Sequence, residues 1–175
     1  MRKHGIVLII FALFLLEGTV LPWLIPEVWQ TQVLIAPQLV LVAVLYVSLL
    51  ANRHFALALG FGFGLLHDFI FYGPMIGTYS FSIGITVYLV GLAFHRTPVR
   101  IVTSLFFIGI GLFLFEFIHY GLYRLFNLVT VSFQWTLLHK ILPGMLFNLL
   151  FALIVYVPVR KLLVNIDAKT ESQED

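Results

Sequence analysis

The chain has 175 residues, of which 61% are hydrophobic and 10% charged, with a formal net charge of +2 and no cysteine. Soluble domains carry about 25% charged residues, and a chain of this size has too little interior to hide so much apolar surface from water. A water-soluble globular domain is therefore excluded, as are a disulfide framework and a thiolate metal site.

About 20 apolar residues cross the ~30 Å hydrocarbon core of a bilayer, and on that rule the sequence predicts an all-α membrane protein with six transmembrane helices. The first runs from Gly5 to Leu21 behind Arg2 and Lys3. Its basic flank is that of a signal peptide, but Glu17 and the lack of a small-residue cleavage site predict a retained helix. The second begins near Pro37, a residue suited to a first helical turn, and reaches Ala51. The third is Phe55 to Tyr72, broken by the Gly73-Pro74 turn. The fourth is Thr78 to Phe94, and the fifth Ile101 to about Leu122. The sixth starts between Trp135 and Leu142 and ends near Val157, with Pro143 kinking its first turns. Leu125 to Leu138 is too polar to span and is expected at the membrane surface, with Trp135 at headgroup level. The expected organisation is one membrane domain, 1–165, followed by a disordered cytoplasmic tail, 166–175, whose composition is polar and charged.

Basic residues in short loops set orientation. Arg2, Lys3, Arg53, Arg96, Arg100, Arg160 and Lys161 fall on one side of the predicted spans; Arg124 and Lys140 fall on the other. Both termini are therefore expected in the cytoplasm, which requires an even number of spans.

Burying a carboxylate costs several kcal/mol or more unless it is paired, so the ionisable residues inside these runs need explaining. At 1.5 Å of rise per residue, Glu17 lies roughly 18 Å from the cytoplasmic face, Asp68 near ~20 Å, Glu116 near ~22 Å and Asn148 about 20 Å. His67 and His119 sit within one turn of that level. Four helices thus place polar groups in one slab, which implies a shared polar interior or a water-filled outward cavity. The plainer reading is that the carboxylates snorkel to the outer interface and that the histidines are satisfied structural residues. Within the slab reading, Asp68 is either a neutral, hydrogen-bonded carboxyl with Asn148 as partner, or a charged one facing water. Glu116 and His119 have the i, i+3 spacing of metal-binding bundles, but such sites need two pairs and further carboxylates, so neither a metal nor a cofactor is expected.

Small residues mark helix contacts. Gly60 and Gly64 form a small-xxx-small pair in the third span, and Gly77, Ser80, Gly84 and Gly91 are expected on one face of the fourth. Such faces let membrane helices approach closely, where packing drives association. No phosphate-binding loop, nucleophile elbow or soluble module is present, so no catalytic residue is assigned and no nucleic-acid partner is expected.

Three stretches carry a family resemblance: PQLVLVAVLYVSLL from Pro37, GFGFGLLHDFIFYGPMIGTYSFS from Gly60, and LPGMLFNLLFALIVYVPVRKLL from Leu142. Together they resemble the MreD family, the small membrane subunit of the bacterial rod-shape system. The Gly-Leu-Leu-x-Asp core with the following Gly77, and the Pro-Gly-Met-Leu-Phe-Asn stretch with Asn148, are the most specific parts. The resemblance implies a multi-pass, non-enzymatic protein of the bacterial cytoplasmic membrane. It also implies work with MreC and, indirectly, with MreB, RodA and its class B transpeptidase in lateral peptidoglycan synthesis. The implied fold is similar to that of the substrate-binding subunits of energy-coupling-factor transporters, which transfers no substrate. Two functions stay open: a scaffold that binds the transmembrane helix of MreC, and a small-molecule binder or transporter subunit that uses the polar slab as a pocket.

Overall fold

The computed structural model describes residues 2–20, 36–71, 75–94 and 100–171, whose regular structure is all helical. Helix α1 covers Arg2–Leu15 and passes into a wider turn, Leu16–Val20. Then come α2 (Leu39–Leu50), α3 (Arg53–Ile70), α4 (Thr78–Phe94) and α5 (Ile101–Leu125). A short α6, Phe133–Thr136, runs through a second wide turn, Leu137–Ile141, into α7, Leu142–Glu171. Helix α7 continues past residue 165, the boundary expected for the membrane domain. Leu21, Tyr72, the Gly73-Pro74 turn, Arg96 and residues 172–175 lie outside the described residues. Helix α5 and the stretch Phe133–Arg160 are long and apolar enough to cross a bilayer; His4–Val20, Leu39–Leu50 and Thr78–Phe94 are apolar but shorter.

Local chemistry sets several helix ends. Asn52 caps α3 by accepting the His54 N–H at 2.8 Å, and Ser132 caps α6 through the Trp135 N–H, each satisfying a donor that the first turn leaves free. After α5 the chain turns through Asn127 at φ 55°, a conformation that asparagine tolerates. The wide turn Leu137–Ile141 lies just before Pro143. Proline has no N–H to give the His139 carbonyl four residues back, so the ladder loosens there.

Helix α2 is the axis of the molecule. Eleven of its 12 residues are buried, and α1, α3, α4, α5 and α7 all pack on it. Its hydroxyls find interhelical partners: Tyr46 donates to the Ala152 carbonyl at 2.7 Å and Ser48 to the Val87 carbonyl at 2.7 Å. The outer surface is apolar, with Val102 75% and Leu146 70% exposed, a surface suited to lipid or to a membrane-embedded partner.

The most extensive helix pair is α3 with α4. A Cβ placed on Gly64 would lie 2.5 Å from Ser80 Cα and 2.8 Å from the Ile83 side chain. The contact therefore exists only because Gly64 has no side chain, and Ser80 Oγ adds a hydrogen bond to the Phe61 carbonyl at 3.0 Å. Gly60 faces Val44 and Ile83, Gly84 faces Leu57 and Phe61, and Gly91 faces Ser48 and Arg53. Gly77 plays a different part from the other small residues. It precedes α4, has φ +95°, and has open space where a side chain would be. Its lack of a side chain serves the turn and not helix packing.

Candidate functional site

The polar residues gather where α2 and α4 begin. Asp68, near the end of α3 and 3% exposed, accepts three backbone N–H groups at the start of α4. They come from Gly77 at 3.0 Å, Tyr79 at 3.3 Å and Ser80 at 3.1 Å. The first four N–H groups of a helix have no partner within it, and the helix dipole places about half a positive charge at that end. A carboxylate is therefore satisfied there without a cationic side chain. The Gly77 conformation aims these donors back toward α3.

The start of α2 is held in a similar way. Glu17, in the wide turn after α1, accepts the Val40 N–H at 3.0 Å. Asn148 of α7 accepts the Gln38 N–H through Oδ1 at 2.8 Å and donates Nδ2 to the Ala36 carbonyl at 3.1 Å. The Gln38 side chain donates to Glu116 Oε1 of α5 at 2.6 Å. The other oxygen of Glu116 accepts Lys140 Nζ, from the second wide turn, at 2.9 Å. Elements from both ends of the sequence thus converge on residues 36–40, the entry and first turn of α2.

The sequence-predicted residues Glu17, Asp68, Glu116, His67 and His119 all line one chamber of about 240 Å³, and Asn148 adjoins it through Gln38. Asp68 is bonded to the backbone of α4, whereas Asn148 is bonded to the entry of α2; the expected Asp68–Asn148 pair is not formed. The carboxylate is met by helix donors from its own hairpin, which makes a side-chain partner unnecessary. His67 stacks on Tyr79 with ring centroids 3.7 Å apart and 5° between planes, and its Nε2 lies 4.0 Å from Glu17 Oε1. His119 lies against Phe115 and Tyr123. The Glu116 oxygens are taken by Gln38 and Lys140, and among the described residues no group of three or more His, Asp or Glu is placed to hold a metal ion.

Among the chamber residues that sequence reasoning did not mark as site candidates are Gln38, Tyr79 and Lys140. Gln38 had a signal, as the one amide between Pro37 and a long apolar run. Lys140 counts toward the outer loops by sequence, but its long side chain reaches inward to a carboxylate. Tyr79 had no signal separating it from the other aromatic residues of its helix.

Among the described residues, an all-helical arrangement with an apolar outer face, two helical stretches long enough to cross a bilayer, and Glu17, Asp68 and Glu116 turned into one inner chamber fits the membrane-protein class. The chain belongs to the MreD family: the family model described as rod shape-determining protein MreD matches residues 1–166. It is similar to the rod shape-determining protein MreD of Bacillus subtilis (strain 168), with 29% identity over 135 residues, covering 77% of each chain. No solved structure matches it.

Proposed function

We propose that this chain is a non-enzymatic membrane subunit of the bacterial rod, or elongation, complex, binding the transmembrane helix of MreC and supporting lateral peptidoglycan synthesis. Family membership already gives it a role in cell shape. The observation that carries the scaffold reading is the use made of the buried carboxylates. Asp68 is bonded to three N–H groups of α4 and Glu116 to Gln38 and Lys140. These groups fix helix ends and are not arranged as an acid–base or nucleophile pair. The apolar outer face suits a bitopic partner, because membrane helices associate through packing. In this reading the chain crosses the bacterial cytoplasmic membrane six times with both ends inside, and acts on MreB, RodA and its class B transpeptidase through MreC.

Co-purification tests it. Tagged MreC in mild detergent should retain this chain, and removal of the MreC transmembrane helix should release it. Retention without that helix would overturn the reading. A second reading, a small-molecule-binding membrane protein or transporter substrate-binding subunit, is favoured by one observation, the chamber of about 240 Å³. Ligand binding by the pure protein in the absence of MreC would support it.

A further inference from the structure

Helix α2 has one gap in its enclosure. All its residues are buried except Ala43, which is half-buried. Ala43 and Val47 floor a groove of about 230 Å³ whose lining residues are all apolar. One wall comes from α1 between Ile6 and Leu13, the other from α7 between Phe151 and Val159. Helix α1 packs on α2 and α3, and α7 on α2 and α5, so different neighbours carry the two walls. At 1.5 Å of rise per residue the walls run about 10–12 Å, most of one leaflet of a ~30 Å hydrocarbon core. A groove left empty would forfeit the dispersion contacts of its lining, so lipid or protein fills it.

Charge decides between the occupants. Arg2 and Lys3 precede Ile6 by four and three residues on α1, and Arg160 and Lys161 directly follow Val159 on α7. Four of the seven basic residues expected on the cytoplasmic side thus belong to the two walls, at one end of the groove. Residues 1–13 and 150–161 contain no Asp or Glu. Arg160 is exposed, its guanidinium carbon 5.9 Å from the Tyr156 ring centroid, and among the described residues no carboxylate pairs with it. An apolar partner helix would fill the groove and leave these cations unmatched. A second copy would bring the same four cations to the same leaflet. An anionic phospholipid matches both parts, with an acyl chain for the apolar floor and a phosphate for the basic end.

We propose that the groove between α1 and α7 holds one acyl chain of an anionic phospholipid of the inner leaflet, whose phosphate meets the basic residues that end the two walls. The inference goes beyond the scaffold reading and needs neither MreC nor the polar chamber.

The experiment uses the purified full chain in detergent, without MreC. Phosphatidylglycerol, phosphatidylcholine and phosphatidylethanolamine with matched acyl chains are titrated against the unfolding midpoint. Phosphatidylglycerol with a photoreactive acyl chain then maps the contact by mass spectrometry. The expected result is saturable stabilisation by phosphatidylglycerol at about a tenth or less of the amount that either zwitterionic lipid needs, with crosslinks at Ile9, Leu13 or Val155. Arg2→Gln combined with Arg160→Gln removes one cation from each wall and should raise the half-saturating amount about tenfold or more, the scale of two basic residues against anionic lipid. Ala43→Leu fills the floor and should weaken the response to phosphatidylglycerol while MreC is still retained. The crosslinking uses the unaltered chain, and the arginine variant adds no bulk to the groove, so the test stands even where Ala43→Leu does not fold. Equal responses to the three lipids, or crosslinks confined to another face such as Leu146 and Leu150, would overturn the proposal. So would a dimer that Ala43→Leu dissociates, which gives the groove to a second copy. Loss of MreC from Ala43→Leu with the lipid response unchanged would overturn it too, and give the groove to the partner helix.

Discussion

Asp68 Oδ2 accepts the Ser80 N–H at 3.1 Å, so the last turns of α3 complete the first turn of α4. The same two helices are in contact at Gly64, where a Cβ would meet Ser80 Cα at 2.5 Å. Ser80 is thus held by α3 through two hydrogen bonds, its N–H to Asp68 and its hydroxyl to the Phe61 carbonyl, and through packing on Gly64.

The first prediction separates the charge of Asp68 from its shape. Asp68→Leu leaves the Gly77, Tyr79 and Ser80 N–H groups without their acceptor, at about 1–3 kcal/mol for each buried donor. Folded protein should fall to a small fraction of the parent level, and rod shape should be lost. Asp68→Asn keeps one acceptor oxygen but turns its NH2 toward at least one backbone donor, and should cost about 1–3 kcal/mol, less than the Leu variant. Membrane protein level, unfolding midpoint and cell width measure both. A Leu variant that matches the parent in all three would remove the cap from the account of stability.

Glycine substitutions should divide by position. Gly64→Ala pushes a methyl group into Ser80 and Ile83 and should cost about 1–3 kcal/mol, the usual range for overpacking. Gly77→Ala has room for its Cβ but keeps φ +95°, a strain of about 1–3 kcal/mol. Gly62→Ala meets nothing within 4 Å and should unfold at the parent temperature. Equal effects at Gly62 and Gly64 would contradict the close contact of α3 with α4.

Glu116 and Lys140 should behave as a coupled pair. Glu116→Gln retains an oxygen for Gln38 but deprives Lys140 of its charge partner at 2.9 Å. Breaking a fully buried pair costs about 3–5 kcal/mol; with Lys140 one-third exposed, solvent reduces this to about 1–3 kcal/mol. The double change Glu116→Gln with Lys140→Gln should recover part of the loss. Strict additivity in a double-mutant cycle would show the two side chains to be independent.

The orientation prediction rests on charge counting. Seven of nine loop-region basic residues lie on one side of the predicted spans, so a reporter fused at Ser172 should remain inside the cell. Green fluorescent protein there should be bright and alkaline phosphatase silent. Active phosphatase would require an odd number of crossings.

Much of the architecture was legible because lipid imposes simple rules. Apolar runs between polar breaks gave helices close to α1, α3, α4 and α5. Glu17, Asp68 and Glu116 had similar depths by residue counting, and they line one chamber. The bonding within it was not legible. Helix caps ordinarily come from the residue just before a helix, but Asp68 reaches the start of α4 from the preceding helix, and Glu17 reaches Val40 across 23 positions. Lys140 was hidden for a related reason: a loop position is read from sequence, whereas the direction of a long side chain depends on what faces it. The role of Gly77 was misassigned because a small residue before a helix and a small residue within one look alike in sequence.

The enclosure of α2 has a consequence for biosynthesis. Its 12 residues rise about 18 Å, less than the ~30 Å hydrocarbon core, and its walls come largely from α3, α4, α5 and α7. All four of these emerge from the ribosome after it. A nascent chain that ends after α2 therefore has a short helix whose future neighbours have not been made. The start of that helix also awaits Glu116 and Asn148, residues from the second half of the chain. The centre of the molecule is thus among the first parts translated and the last to be enclosed.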